Sequence, residues 1–155
     1  MTFELRDATE EDCLAVALNM READAAEVLA SGGYTPKDAV LTSFGLSHET
    51  FAAVVDGEVL AVWGVAPLNI LDGAAVVWML TAKALEKWAL FFLRKCRAEV
   101  RRLLQHWRVL LNAVDARYTK ALRWAKWLGF EVLDPAPFGV AGLPFHVIVL
   151  RAPDV

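Results

Sequence analysis

Residues 108–132 read RVLLNAVDARYTKALRWAKWLGFEV, and this stretch decides the fold. Its first seven residues are apolar apart from Arg108 and Asn112, which is typical of a buried strand. A helix of about four turns is predicted over Asp115–Leu128, where Gly129 ends it, and the next residues begin a return strand. The stretch therefore predicts an α/β unit in which a strand is followed by a crossover helix.

Composition indicates one globular domain over residues 1–155. The chain is 57% hydrophobic, and 155 residues are enough to bury a core without disulfides or metal. No apolar run reaches the roughly 18 residues that a membrane-spanning helix needs. Cys13 and Cys96 are far apart and lack the spacing of metal ligands, so we expect two free thiols, no metal site and a location in the reducing cytoplasm.

Charge is distributed unevenly along the chain. Residues 1–82 contain 13 acids and three bases, whereas residues 83–126 contain twelve bases and three acids. This asymmetry favours an anionic partner for the basic segment. The alternative is that the bases are the solvated faces of two helices. The sequence argues against nucleic-acid binding, because the acidic half would repel nucleic acid unless the two charges lie on separate faces.

The order of the predicted elements is β-α-α-β-β-β-α-β-α-β-β. The clearest hairpin joins Thr50–Val55 and Glu58–Val65 through an Asp-Gly turn, whose residues tolerate positive φ angles. A strand at Ala74–Leu80, a long helix at Ala82–Gln105 and the strand at Arg108–Val114 form a crossover that makes the two strands parallel. We predict an α/β (α+β) fold with a mixed central sheet of six to seven strands and helices on both faces.

The opening LRDATEEDCLA and the closing AxxxxxxLGF at residues 121–130 resemble the GCN5-related N-acetyltransferase (GNAT) superfamily. The resemblance implies that the two parallel middle strands splay apart and that acetyl-CoA lies between them, with an amine as the acceptor. It also implies that backbone amides at the start of the long helix hold the pyrophosphate, because free N–H groups and the helix dipole bind anions.

The resemblance places the cofactor-binding residues at the turn before the long helix. That turn lacks the glycines of active family members, in which backbone approaches the pyrophosphate closely. Its small side chains and two lysines are compatible with binding of an anion. The alternative is that the turn is an ordinary start of a helix. The cofactor-binding candidates are Thr81, Ala82, Lys83, Ala84 and Lys87.

The catalytic candidates are Asn112 and Asp115, at the carboxyl end of the strand that borders the predicted cleft. Asp115 also suits the N-cap of the following helix, and both roles stay open. Many family members place a proton-donating Tyr four residues before the Gly of the Gly-Phe pair, and this chain has Ala125 there. Tyr118 lies too far along the helix to take that role.

A narrower resemblance is to the GNAT-like internal virion protein A of tailed phages, carried by Trp78-Met79-Leu80-Thr81 before Lys83. The leading hypothesis is a phage-related GNAT-fold protein with a degenerate acetyl-CoA site, weak or no acyl transfer, and a virion or assembly role through an apolar surface. Its location would be the host cytoplasm or the virion. The alternatives are an active acetyl-CoA-dependent N-acetyltransferase and a purely structural protein.

Overall fold

A computed structural model describes residues 1–153 and contains one mixed sheet of eight strands. The main path through the sheet runs β1-β2-β3-β4-β5-β8-β6, and β7 pairs with β8. The predicted fold class is confirmed, with one short strand more than expected. The strands are β1 Phe3–Asp7, β2 Glu49–Val55, β3 Glu58–Asn69, β4 Ala74–Thr81, β5 Val109–Asp115, β6 Glu131–Val132, β7 Ala136–Phe138 and β8 Leu143–Arg151.

Five α-helices cover the two faces of the sheet in the described residues. They are α1 Glu10–Leu18, α2 Glu22–Gly32, α3 Pro36–Leu46, α4 Ala89–Leu104 and α5 Thr119–Leu128. Side chains of α1, α2 and α3 share a buried cluster with alternate residues of β2, β3 and β4. The other residues of these strands pack with α4 and α5 in two further clusters. The sheet therefore separates the first three helices from the last two.

Local chemistry fixes the ends of several elements. Thr9 and Asp12 form a capping box at the start of α1, each side chain accepting a backbone N–H from the other residue. The β2–β3 turn is made by Asp56 and Gly57, both with positive φ. Gly129 ends α5 in the left-handed conformation, as predicted.

The predicted helix Ala82–Gln105 is wrong in its first part. Residues Lys83–Trp88 form a 3-10 helix, and α4 begins only at Ala89. The backbone explains this difference. The N–H of Ala82 is bonded to Leu60 and that of Lys83 to Asn19, so this segment is tied to β3 and to the link between α1 and α2 instead of to a helix. The fully buried Leu85 anchors it further.

The predicted crossover is confirmed, because β4 and β5 are parallel neighbours. Their pairing is short, and it joins only residues 74–76 of β4 with residues 109–111 of β5. Beyond these three pairs the two strands diverge. The space between their carboxyl-terminal halves is the feature from which the candidate site is built.

Candidate functional site

Asn112 lies where β4 and β5 part. Its Nδ2 donates to the Val77 carbonyl at 2.7 Å, and its Oδ1 accepts from the Ala113 N–H at 2.7 Å. The amide side chain thus replaces the ladder hydrogen bonds that the diverging strands lose. This catalytic candidate therefore lies in the wall of the cleft, with one hydrogen bond made from each end of its amide.

The cleft encloses a cavity of about 170 Å³ between the two strands, α4 and α5. Its lining is mainly apolar and includes three tryptophans. A dry cavity of roughly 150 Å³ holds a benzene-sized molecule, so this one has room for about six to eight non-hydrogen atoms. Residues that define its walls are Trp63, Trp78, Met79, Phe92, Trp124 and Ile148.

Polar groups of Trp63 and of the β4 backbone lie in the cavity wall. Trp63 is 4% exposed, and its Nε1 is the buried side-chain atom there without a hydrogen bond. In β4, the Val77 carbonyl and the Thr81 N–H point into the cleft. Because backbone groups alternate along a strand, the N–H and C=O of Met79 face the same way. The Val77 carbonyl and the Thr81 N–H are already bonded to Asn112 and Asp24. An unpaired buried polar group is costly, so the Trp63 Nε1 and the Met79 backbone mark where a ligand would bind.

The mouth of the cleft is closed by two carboxylates of α2. Asp24 accepts the backbone N–H of Thr81 at 2.7 Å and also the Thr81 hydroxyl. Glu27 accepts the backbone N–H of Asp115 at 3.0 Å. Thr81 ends β4 and Asp115 ends β5, so one helix spans the gap between the two strand ends.

Burial is the largest influence on the pKa values of Asp24 and Glu27. It raises the pKa of Asp24, while hydrogen bonds from Thr81 and Tyr118 and the charge of Arg21 act in the opposite direction. Burial also raises the pKa of Glu27 to about 8, and the charges of Asp24 and Asp115 add to the rise. Glu27 therefore changes its charge near neutral pH.

Helix α2 is fixed at both ends. At its start, the Arg21 N–H donates to the Thr81 carbonyl at 3.0 Å. At its end, Val140 and Ala141 donate to the carbonyls of Ser31 and Ala30. Gly139 permits this contact, because a Cβ there would lie 2.5 Å from the Ser31 oxygen. The carboxylates at the cleft mouth are thus held on a rigid element.

The Arg21 side chain completes the polar cluster at the mouth. It is 7% exposed, and its guanidinium lies 6.0 Å from the Tyr118 ring centroid and 5.9 Å from that of Trp124. An Arg21 nitrogen is also 3.6 Å from a Glu86 carboxylate oxygen, which links α2 to the 3-10 helix. The cation therefore sits among the groups that close the cleft.

The predicted cofactor turn is bonded mostly within the protein. The amide of Thr81 donates to Asp24, that of Ala82 to Leu60 at 2.8 Å, and that of Lys83 to Asn19 at 2.9 Å. Among residues 81–85, the Ala84 amide is without a partner in the part of the chain that the structure describes. The side chains of Lys83 and Lys87 are exposed. The assignment of this turn to pyrophosphate binding stays a prediction.

Asp115 pairs with its own neighbour. Its carboxylate accepts the N–H of Arg117 at 2.9 Å and three further bonds from the guanidinium, at 2.7 Å in the shortest. These hydrogen bonds lower the pKa of Asp115, which makes the carboxylate a weaker proton acceptor. It does not cap α5, because that helix begins at Thr119 with Tyr118 as its N-cap. Its catalytic role stays a prediction.

Sequence reasoning missed Asp24 and Glu27. Their three-residue spacing puts both acids on one side of an alanine-rich helix, next to the buried Val28. That signal is weak, because an acid on an isolated helix is usually solvated. Ala125 is buried at the position where the resemblance expects a Tyr.

Within residues 1–153, no group of three His, Cys, Asp or Glu side chains is arranged to hold a metal ion. None of the helices described is both long and apolar enough to cross a membrane.

The architecture is similar to that of solved N-acetyltransferases over almost the whole chain. A GCN5-related N-acetyltransferase from Kribbella flavida is 23% identical with a TM-score of 0.71, covering 96% of this chain and 97% of its own. RimL, a ribosomal L7/L12 alpha-N-protein acetyltransferase in complex with coenzyme A, is 12% identical with a TM-score of 0.73, covering 97% and 94%. A ribosomal-protein-alanine N-acetyltransferase from Brucella melitensis is 15% identical with a TM-score of 0.70, covering 96% and 99%.

No protein-family model matches the sequence, and no curated protein matches it either. At these identities the similarity shows the fold alone, and that fold is the GNAT fold.

Proposed function

We propose that this GNAT-fold protein receives a short acylated thioester arm in its cleft but has lost the site for the diphosphate of CoA, so that acetyl transfer from acetyl-CoA is weak or absent. One observation carries the proposal. The amides of Thr81, Ala82 and Lys83, which would otherwise be available to an anion, all donate to acceptors of the protein itself. A diphosphate would have to displace these bonds and approach the carboxylate of Asp24.

The interior of the cleft supports the first half of the proposal. An acetyl group, its sulfur and the adjoining CH₂–CH₂–NH have about seven non-hydrogen atoms, which matches the space available in 170 Å³. The N–H and C=O of Met79 are placed to pair with an amide of such an arm, as in an added strand. The N–H of Trp63 Nε1 has no acceptor within residues 1–153, so it is a donor for a carbonyl of the arm.

The test is a titration with acetyl-CoA followed by thermal unfolding. A ligand that binds only the native state raises the apparent stability by about 2.7 kcal/mol at one hundred times its Kd. We expect almost no rise in melting temperature at 1 mM acetyl-CoA. A rise of several degrees at 10 µM ligand would contradict the loss of the diphosphate site.

An active N-acetyltransferase is the second candidate, and Glu27 is the observation that favours it. Its pKa of about 8 suits a general base that takes a proton from an amine near neutral pH. Release of CoA thiol in the presence of a panel of primary amines separates the two functions. A turnover number of about 1 s⁻¹ or more lies in the range of ordinary enzymes and would replace our proposal with this one.

The phage and virion role stays a prediction. Its structural support is an apolar tip at the β3–β4 turn, where Leu68, Ile70 and Leu71 are exposed, the last of them by 97%. If this tip mediates assembly, the protein will be detected by mass spectrometry in purified particles, and Leu71→Ser will reduce its incorporation. A monomer that is absent from particles would contradict this role.

A further inference from the structure

The last two helices carry a strongly basic surface that the cleft does not use. Together, α4 and α5 contain eight Lys or Arg residues and one acid, Glu99. Glu99 is paired with Arg102 at 2.6 Å, so both are neutralised. The other seven bases are exposed and form no ion pair within residues 1–153. They are Arg94, Lys95, Arg97, Arg101, Lys120, Arg123 and Lys126.

The two helices present these charges as one continuous surface. Arg97 of α4 donates to the Trp127 carbonyl at 3.3 Å, and its guanidinium lies 3.4 Å from the centroid of the Trp127 ring. This contact joins the middle of α4 to the end of α5. On α4, Arg94, Arg97 and Arg101 follow each other at three- and four-residue spacing, so they line one side of the helix.

The acid-rich helices lie on the opposite side of the sheet. Helices α1, α2 and α3 contain seven acids and one base, Lys37, and they pack on the face of the sheet opposite α4 and α5. Each helix layer is about 10 Å thick, so the acidic surface is on the order of 20 Å from the basic one. The Debye length at 0.15 M salt is about 8 Å, so the acids are largely screened from a partner on the basic face.

We propose that the α4–α5 surface binds nucleic acid through its phosphate backbone, without reading bases. The charge segregation removes the objection that the sequence raised. Three positive side chains along α4 are spaced by about 5–6 Å, close to the separation of neighbouring phosphates along a strand. Exposed Lys and Arg side chains contact phosphates through their charge, and phosphate contacts carry no sequence information, so we expect the binding to be independent of base sequence.

The experiment measures anisotropy of a labelled 20-base-pair DNA of mixed sequence, titrated with the full chain between 50 and 200 mM salt. We expect a Kd of about 10⁻⁶ to 10⁻⁴ M near physiological salt and a plot of log affinity against log salt with a slope of roughly −3 or steeper. An unrelated duplex of equal length should bind equally well. The absence of binding at 50 mM salt, or a preference for one base sequence, would overturn the proposal.

Charge reversals locate the surface. Arg94→Glu, Arg101→Glu and Arg123→Glu should each lower affinity by about fivefold or more at 150 mM salt and reduce the slope by about 1. The matched control is Lys37→Glu on α3, an exposed residue whose reversal changes the net charge equally. The proposal is refuted if Lys37→Glu weakens binding as much as the other three. It is also refuted if polyglutamate of similar charge competes as well as unlabelled DNA, since the partner would then be an acidic protein.

Because these variants lie outside the cleft, their outcome does not depend on whether acetyl-CoA binds.

Discussion

The mouth and the interior of the cleft differ in how their polar groups are satisfied. At the mouth, the ends of β4 and β5 donate their N–H groups to Asp24 and Glu27. In the interior, the Trp63 Nε1 has no partner among the residues described, and the Met79 backbone faces an apolar space. The diverging strands create both regions. The difference teaches that a shared fold preserves the shape of a cleft, whereas a few side chains decide which part of a ligand it can accept.

The largest effect is expected from removal of the Asp24 carboxylate. Asp24→Ala leaves the N–H and hydroxyl of the buried Thr81 without acceptors, and each such group costs about 1–3 kcal/mol. We expect a loss of about 2–4 kcal/mol in the free energy of unfolding, measured in urea. Asp24→Asn retains an acceptor oxygen and should cost less.

The control for this prediction is Glu22→Ala on the same helix. Glu22 is exposed in the first turn of α2, so its removal should cost under about 1 kcal/mol. Equal losses for Asp24→Ala and Glu22→Ala would mean that the mouth is not held together by the carboxylate.

A smaller effect is expected from Glu27, which makes the free energy of unfolding depend on pH. Its pKa rises from 4.5 to about 8 in the folded protein, so the native state holds this proton more tightly than the unfolded state does. The contribution of Glu27 to the free energy of unfolding is therefore complete below pH 4.5 and is lost as the pH rises through 8. Glu27→Gln keeps an acceptor for the Asp115 N–H and cannot ionise, so its unfolding free energy should fall less between pH 5 and 8.

Urea melts at pH 5, 6, 7 and 8 check this expectation, with Glu22→Gln as the exposed control. Parallel curves for Glu27→Gln and the parent protein would show that Glu27 is not buried at the mouth as described.

The smallest effect is expected in the interior. Ala121 lines the cavity, so Ala121→Leu adds three carbons to an empty space and should change the unfolding free energy by less than about 1 kcal/mol. Ala75 is fully buried in the packed core and does not line the cavity. Ala75→Leu should cost about 1–3 kcal/mol by overpacking. Equal costs, measured by urea unfolding, would mean that the cavity is not a void.

Sequence predicted the elements whose ends depend on neighbouring residues. The Asp56-Gly57 turn and the Gly129 stop are both local chemistry, and the structure confirms them. The crossover between β4 and β5 was predictable for the same reason, because strand and helix periodicity are visible in the sequence.

The mouth of the cleft could not be predicted in this way. Asp24 and Thr81 are 57 residues apart, and Glu27 and Asp115 are 88 apart, so no local pattern connects them. The break at the start of α4 has a similar origin. Ala82 and Lys83, which precede α4, are bonded to β3 and to the end of α1, which are distant in sequence, and these bonds override the helical periodicity that predicted one long helix.

The most direct test of the account compares two ligands by isothermal titration calorimetry: acetyl-CoA and S-acetylpantetheine, which has the same thioester arm but lacks the nucleotide and its diphosphate. If the interior binds the arm and the mouth rejects the diphosphate, S-acetylpantetheine will bind at least as tightly as acetyl-CoA. Acetyl-CoA binding more tightly by about 30-fold, or roughly 2 kcal/mol, would contradict the account, because the nucleotide would then have a site at the mouth.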